Sequence, residues 1–211
     1  MPEQTDTTEE KIYYDQRSVA LRTPQSIYFV KEHDKTAMLG LLLNDYKKMQ
    51  VLIVVKSKKK ADALCEFLIS KEFNALAVHG NHRESQQQEA ATKFNEGSLN
   101  VIITTDMILK TLDLKNIKLV LNHDIPEDAQ EYYNRLALMK EEGVAMSLVS
   151  PQDEGLLSDI EVNMKVEIEE RTLEGFVETD APAKHTKRNK KPRHGKNKSR
   201  KVTINNNEKQ D

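Results

Sequence analysis

The sequence predicts an α/β fold: a doubly wound, mostly parallel sheet with helices on both faces, followed by a disordered basic tail. Three observations lead there. First, continuous apolar runs of strand length alternate with segments of helical period. Second, those runs are continuous rather than alternating, as expected for strands buried on both faces, and right-handed crossovers then give a doubly wound layer. Third, the charge is split. The 211 residues carry 32 Lys+Arg and 34 Asp+Glu, net −2, but residues 184–211 hold eleven Lys/Arg against two Asp/Glu. That segment is +9 and the remainder −11, so one acidic domain and one basic tail are expected.

The elements follow in order. Residues 1–22 are polar and are read as a lead-in, with the domain spanning 23–176 and the tail 177–211. After Pro24, Ile27 to Val30 reads as a strand, and Lys35 to Tyr46 as a buried helix with apolar residues at 38, 39, 41, 42 and 43. Val51 to Val55 is a strand. Lys58 to Lys71 is a helix with Ala61, Leu64, Cys65 and Leu68 on one face. Ala75 to Val78 is a strand, Glu84 to Phe94 a helix closed by Gly97, and Val101 to Thr104 a strand. A short apolar turn precedes the strand Leu119 to Leu121. Ala129 to Met139 is a helix and Val144 to Val149 the last strand, stopped at Ser150-Pro151. Gln152 to Lys165 is a helix with Leu156, Leu157 and Ile160 inward. Residues 153–180 hold ten acidic and two basic side chains and read as solvated surface.

Several function classes fall away. No apolar run is long enough to span a membrane, and the acidic start has no secretory core. A lone cysteine, Cys65, excludes a disulfide framework and a cysteine-rich zinc site, and points to a reducing, cytoplasmic compartment. His79 and His82 lack the nearby partners a metal needs, so no metal is expected. A basic tail on an acidic body fits a polyanion. Ligands of doubly wound sheets bind beyond the carboxyl ends of the strands. The informative residues are therefore Lys56-Ser57-Lys58, His79-Gly80, Thr105-Asp106 and Asn122-His123-Asp124. Lys56 and Lys58, with Lys59 and Lys60, suit a phosphate at a helix start. Thr105 and Asp106 are residue types that cap the turn after them.

Read in order, these strand ends resemble a known family. Val78-His79-Gly80-Asn81, Phe94-Asn95-Glu96-Gly97, Val101-Ile102-Ile103-Thr104-Thr105-Asp106, Thr111-Leu112-Asp113-Leu114, Asn122-His123-Asp124-Ile125-Pro126 and Tyr132-Tyr133-Asn134-Arg135 stand at matching spacing over residues 24–176. The chain resembles the second RecA-like domain of DEAD-box RNA helicases, in particular bacterial ones with a basic tail. The resemblance implies RNA contacts at Gly80 and Thr105 and places RNA along the edge that carries Lys56 and Lys58. It matches Asp113 to the carboxylate that meets the ATP ribose, and Arg135 to a residue of the last motif, read either as a residual nucleotide contact or as a structural ion pair.

The departures set the expected function. There is no Gly-x-x-x-x-Gly-Lys-Ser/Thr loop and no Asp-Glu-Ala-Asp run. Leu136-Ala137-Leu138 stands where the last motif has Ile-Gly-Arg, and the stretch to Gly143 is too short for its later arginine. An arginine finger is worth about 10³–10⁵ in rate. Thr111 replaces a glycine, and Glu84-x-x-Gln87 replaces Gln-x-x-Arg.

The expectation is a non-catalytic RNA-binding or accessory protein, with no catalytic residue and no cofactor. ATP enters only if a first RecA-like domain is supplied in trans, giving a composite ATPase. The alternative is an interaction module that docks on a complete helicase or ribonucleoprotein. Tail residues Lys187, Arg188, Lys190, Lys191 and Arg193 are expected to bind RNA without sequence preference.

Overall fold

The computed structural model describes residues 18–139 and 143–180. Seven strands form one sheet in the order β3-β4-β2-β5-β6-β1-β7, and every neighbouring pair is parallel. They are β1 (Gln25–Phe29), β2 (Val51–Val54), β3 (Ala75–Val78), β4 (Val101–Thr104), β5 (Leu119–Asn122), β6 (Val144–Val149) and β7 (Glu169–Glu170). The helices are α1 (Lys35–Leu42), α2 (Lys58–Ser70), α3 (Glu84–Asn95), the single turn α4 (Asp106–Leu109), α5 (Ala129–Ala137) and α6 (Glu154–Met164).

The sheet is covered on both faces, as its apolar runs require. On one face α1 and α2 bring Leu39, Leu42, Leu64 and Leu68 onto Ile53, Ile103 and Leu121. On the other, α3, α5 and α6 bring Phe94, Leu136 and Ile160 onto Leu52, Ile102 and Val120. Alternate residues of each strand serve opposite cores. Cys65 is buried in the first, where burial pushes its thiol pKa up. Its S–H donates to the Ala75 carbonyl at 3.6 Å. Among the described residues no helix is long and apolar enough to cross a membrane.

Four details differ from the sequence reading. Residues 18–22 are helical, with Val19 and Ala20 in the core, so the lead-in contributes structure before Pro24. The first long helix splits: α1 ends at Leu42, a 3₁₀ turn covers Leu43–Tyr46, and Leu41 faces solvent. The acidic stretch after β6 is not all surface, because Asp153 is buried and takes the Lys35 ammonium at 2.7 Å. Finally, the chain after β7 is a strap. Arg171 N–H donates to the Ile27 carbonyl, Leu173 and Phe176 pack on the first core, and Thr179 donates its N–H and hydroxyl to Asp34 at 2.9 and 2.6 Å.

Candidate nucleic-acid interface

The carboxyl ends of the central strands open into a cleft of about 650 Å³. Lys56, Lys58, Gly80 and Thr105 all line it. The fold brings them together because β2, β3 and β4 are parallel neighbours, so the segments that follow all leave at one edge.

Each residue is placed by local chemistry. Ser57 is extended and accepts from the Lys60 N–H at 3.3 Å, which starts α2 directly after Lys56. Lys56 N–H donates to Asp124 at 2.8 Å, while its ammonium stays half-exposed, 3.9 Å from Asp153. Lys58 reaches across to Asn81 at 3.1 Å and so ties the start of α2 to the turn after β3. That turn is held by His79, whose Nε2 lies 2.8 Å from Asp62, and by the His79 N–H donating to His82 Nδ1 at 3.2 Å. A Cβ on Gly80 would meet only Ile108, at 3.9 Å, so packing does not demand glycine there. Thr105 occupies the N-cap position of α4, but neither it nor Asp106 caps the turn through its side chain, contrary to expectation. The Asp106 carboxylate is taken by Arg135.

Arg135 is the organising cation of the cleft floor. It is 1% exposed. Nε and Nη2 bind Asp106 Oδ1 and Oδ2 at 2.8 and 2.7 Å, and Nη1 donates to Asn122 Oδ1 and the Asp124 carbonyl at 2.8 and 2.9 Å. This is the fork geometry that pairs guanidinium with carboxylate. Every nitrogen of the head is engaged inside the protein, which is the structural ion pair that the sequence allowed for Arg135. Asp113, the other residue matched to a nucleotide contact, does not line the cleft. Its side chain is 76% exposed and pairs with Lys115 at 3.1 Å. Thr111, which stands for a glycine, causes no backbone strain: it is not among the positive-φ residues, and its hydroxyl donates to the Ile108 carbonyl at 2.7 Å.

A second network lies beside the cleft and was not foreseen. Lys35 is fully buried and binds Asp153 at 2.7 Å and Glu32 at 3.2 Å, with Asp124 at 3.9 Å. Lys60 binds both Glu32 and Asp124 at 2.7 Å. Lys60 is therefore neutralised by two carboxylates, whereas Lys58 meets only the neutral Asn81 amide. Burial alone would raise the Asp124 carboxyl, but the His123 ring, the Lys60 ammonium and the Lys56 N–H hold it far below the usual carboxylate range. Sequence pattern could not find these pairs, since Lys35 and Asp153 are 118 positions apart.

The walls of the cleft differ in sign. Lys56 and Lys58 stand on the α2 side, while Glu127, Asp128 and Glu131 stand on the α5 side. Asp128 caps α5 by accepting from the Glu131 N–H at 2.8 Å, and Glu131 binds Lys110. Among the described residues no cluster of His, Cys, Asp and Glu could hold a metal. Lys187, Arg188, Lys190, Lys191 and Arg193 lie outside the described residues.

Residues 34–137 match the family described as the helicase conserved C-terminal domain. The chain carries a DEAD-box helicase C-terminal domain. It is 32% identical over 167 residues to the ATP-dependent RNA helicase SUB2-2 of Vanderwaltozyma polyspora, covering 77% of this chain and 38% of that one. It is 33% identical over 140 residues to the helicase vasa of Drosophila melanogaster, covering 64% and 21%. The chain thus spans about two-fifths of the length of the first of these relatives. Among solved structures, the helicase C-terminal fold superposes on the E. coli DEAD-box protein SrmB bound to regulator of ribonuclease activity A, with TM-score 0.71, 24% identity, and 77% of this chain and 98% of that one covered. It also superposes on S. cerevisiae Dbp5 bound to RNA and ADP BeF3, with TM-score 0.67, 22% identity, and 80% and 50% covered. These likenesses establish a RecA-like helicase C-terminal domain at the level of the fold.

Proposed function

We propose that this chain is an RNA-binding accessory protein built on a helicase C-terminal domain, without ATP hydrolysis of its own. The observation that carries the reading is a division of labour at the strand ends. Lys56, Lys58, Gly80 and Thr105 face one open cleft, while Arg135 is committed to Asp106 and Asn122 inside the domain. Two ammonium groups and the first N–H groups of α2 suit phosphates of a single strand, and a glycine that packing does not require leaves room for close backbone approach. The basic stretch 184–201 adds sequence-independent affinity. RNA is the ligand in the solved Dbp5 complex, which supports the choice of nucleic acid.

A single-stranded RNA titration of the purified chain at several salt concentrations tests the reading. Binding that weakens with salt, and weakens further in a Lys56→Ala/Lys58→Ala variant, is expected. RNA-stimulated ATP hydrolysis that Asp113→Ala abolishes would overturn it.

A second reading is a docking module on a complete helicase or ribonucleoprotein. It draws on the SrmB structure, in which a chain of nearly this domain's extent is bound by another protein. Capture of a partner that survives RNase treatment favours it. A composite ATPase, completed in trans by a first RecA-like domain, is the lesser alternative.

A further inference from the structure

We propose that Asp62 and His82 position the backbone around Gly80 for RNA by acting through the ring of His79, and that one proton taken up by this histidine pair opens the turn and weakens the grip on RNA. Such a clasp presupposes that RNA occupies the cleft already described, and it adds control of that same site. The groups meet in the turn after β3. His79 is 4% exposed, Gly80 and Asn81 line the cleft, and His82 is half-buried just before α3.

The hydrogen bonds leave each ring nitrogen one role. His79 Nε2 lies 2.8 Å from Asp62 Oδ1, and a carboxylate only accepts, so Nε2 carries the proton. His79 Nδ1 then accepts the Asn81 N–H at 3.4 Å. His82 Nδ1 accepts the His79 N–H at 3.2 Å, so this ring too is protonated on Nε2 when neutral. The His82 N–H returns to the His79 carbonyl at 2.9 Å, and Gln87 Nε2 donates to the His82 carbonyl at 2.9 Å. Two neutral rings thus close a loop of bonds around Gly80, which packing leaves open except towards Ile108.

A further proton can enter either ring only at Nδ1, and both Nδ1 atoms already face an N–H. Imidazolium donates from both nitrogens, so the proton turns an acceptor into a donor aimed at a donor, and that bond of the turn is lost. Asp62 favours the step at His79, because its bond to Nε2 strengthens when the ring is charged. The ring centroids are 4.3 Å apart, so a charge on one ring opposes a charge on the other and the pair takes up a single proton. Among the described residues Asp62 is the one carboxylate in ion-pair contact with either ring. Of the other charged groups around the turn, Lys58 holds Asn81, Asp106 is paired with Arg135 and Glu131 with Lys110. Glu127 and Asp128 stand on the far, α5 wall, and Arg83 and Glu84 follow His82 in the chain. Histidine is the side chain that changes charge between about pH 5 and pH 8, so the clasp responds in that range.

The test is fluorescence anisotropy of a labelled oligouridine, whose bases take up no proton in this range, titrated with the full chain between about pH 7.5 and about pH 5.5. Circular dichroism checks that the fold is intact throughout. The comparison is with His79→Asn/His82→Asn, whose amides offer an oxygen near each Nδ1 position but do not titrate; the remaining histidines titrate in both proteins and cancel. On acidification the parent should lose about two- to tenfold more affinity than this variant, the worth of one hydrogen bond. Asp62→Asn still accepts from Nε2 but lacks the charge that favours imidazolium, so the midpoint of the loss should move to lower pH. A role in packing alone would not move it. Nitrogen-15 spectra of the rings should show Nε2–H in both histidines at the higher pH. An Nδ1–H tautomer in either, an equal acid response in parent and double variant, or an unmoved midpoint in Asp62→Asn overturns the proposal. Lys56→Ala/Lys58→Ala should weaken binding across the range; if it has no effect, the RNA-facing reading itself fails and the clasp falls with it.

Discussion

Arg135 grips Asp106 through two near-parallel hydrogen bonds, 2.8 and 2.7 Å long, and its third nitrogen joins Asn122 to the Asp124 carbonyl. One buried side chain thus fastens α5, the turn after β4 and the end of β5. Removing it leaves a carboxylate and an amide without their donor. Arg135→Ala is expected to destabilise the fold by about 3 kcal/mol, read by denaturant unfolding. Arg135→Lys should recover little, because an ammonium cannot reproduce the planar fork. Unchanged stability in both variants would remove Arg135 from the structural role argued for it.

Lys35 offers a parallel case on the other face of the sheet. It is fully buried against Asp153. Lys35→Met alone should cost about 3 kcal/mol, since it leaves Asp153 short of its cation. Lys35→Met/Asp153→Leu should recover part of that loss, as replaced buried pairs commonly do. A double-mutant cycle by thermal unfolding measures the difference.

In the RNA-facing cleft, Lys56→Ala and Lys58→Ala should weaken RNA binding uniformly across sequences. Each should reduce the slope of log affinity against log salt by about 0.7, the value for one phosphate contact on a single strand. Gly80→Ala should melt like the parent, because its Cβ meets only Ile108 at 3.9 Å, while RNA affinity falls. Full RNA affinity in that variant would count against close backbone approach.

Stability should fall at both ends of the pH scale, for separate reasons. Tyr132 is buried, which raises its hydroxyl pKa to about 12, and the hydroxyl donates to Gln25 at 3.0 Å. A tyrosine ionises near 10 when unfolded. Its contribution is therefore complete below about 10 and lost between about 10 and 12, up to about 2–3 kcal/mol at 1.36 kcal/mol per unit. Tyr132→Phe should flatten the alkaline limb. Asp124, Asp153 and Glu32 run the other way: burial opposes their ionisation, but Lys60 and Lys35 beside them hold all three below their ordinary values. Their contribution is present above the carboxylate range and lost as pH falls through the depressed values.

His123 is buried, and neither ring nitrogen has a hydrogen-bond partner; Nδ1 lies 3.5 Å from Asp124. An unpartnered buried polar group costs about 1–3 kcal/mol. His123→Phe is expected to change stability by no more than about 1 kcal/mol, because relief of the unpartnered ring is offset by loss of a neighbour that favours the Asp124 carboxylate. A large loss in thermal unfolding would show that the imidazole has a use the geometry does not display.

The sheet was legible because period and run length report burial directly. Val51–Val54 and Val101–Thr104 are apolar at every position or nearly so, and both are interior strands. The cleft was legible because parallel strands put every following loop at one edge. The ion-pair hubs were not. Lys35 stands at the start of a helix in sequence like any solvated lysine, and only the meeting of α1 with the turn after β6 buries it. Arg135 carried a second difficulty. Its motif position allowed a nucleotide contact or an ion pair, and the partners that decide where its charge goes, Asp106 and Asn122, lie 29 and 13 positions away. Thr105 and Asp106 have the right residue types for capping, yet the carboxylate binds the guanidinium instead of a backbone amide.

The shortness of β7 carries a consequence for self-association. It consists of two glutamates, both exposed, laid against β1. A sheet border of that length and charge offers few unpaired amides to an incoming chain and repels a copy of itself. Stacking of molecules border to border is thereby discouraged on the β1 side. At the opposite border, β3 ends the sheet among the described residues, with Leu76 exposed, so aggregation on partial unfolding should begin there.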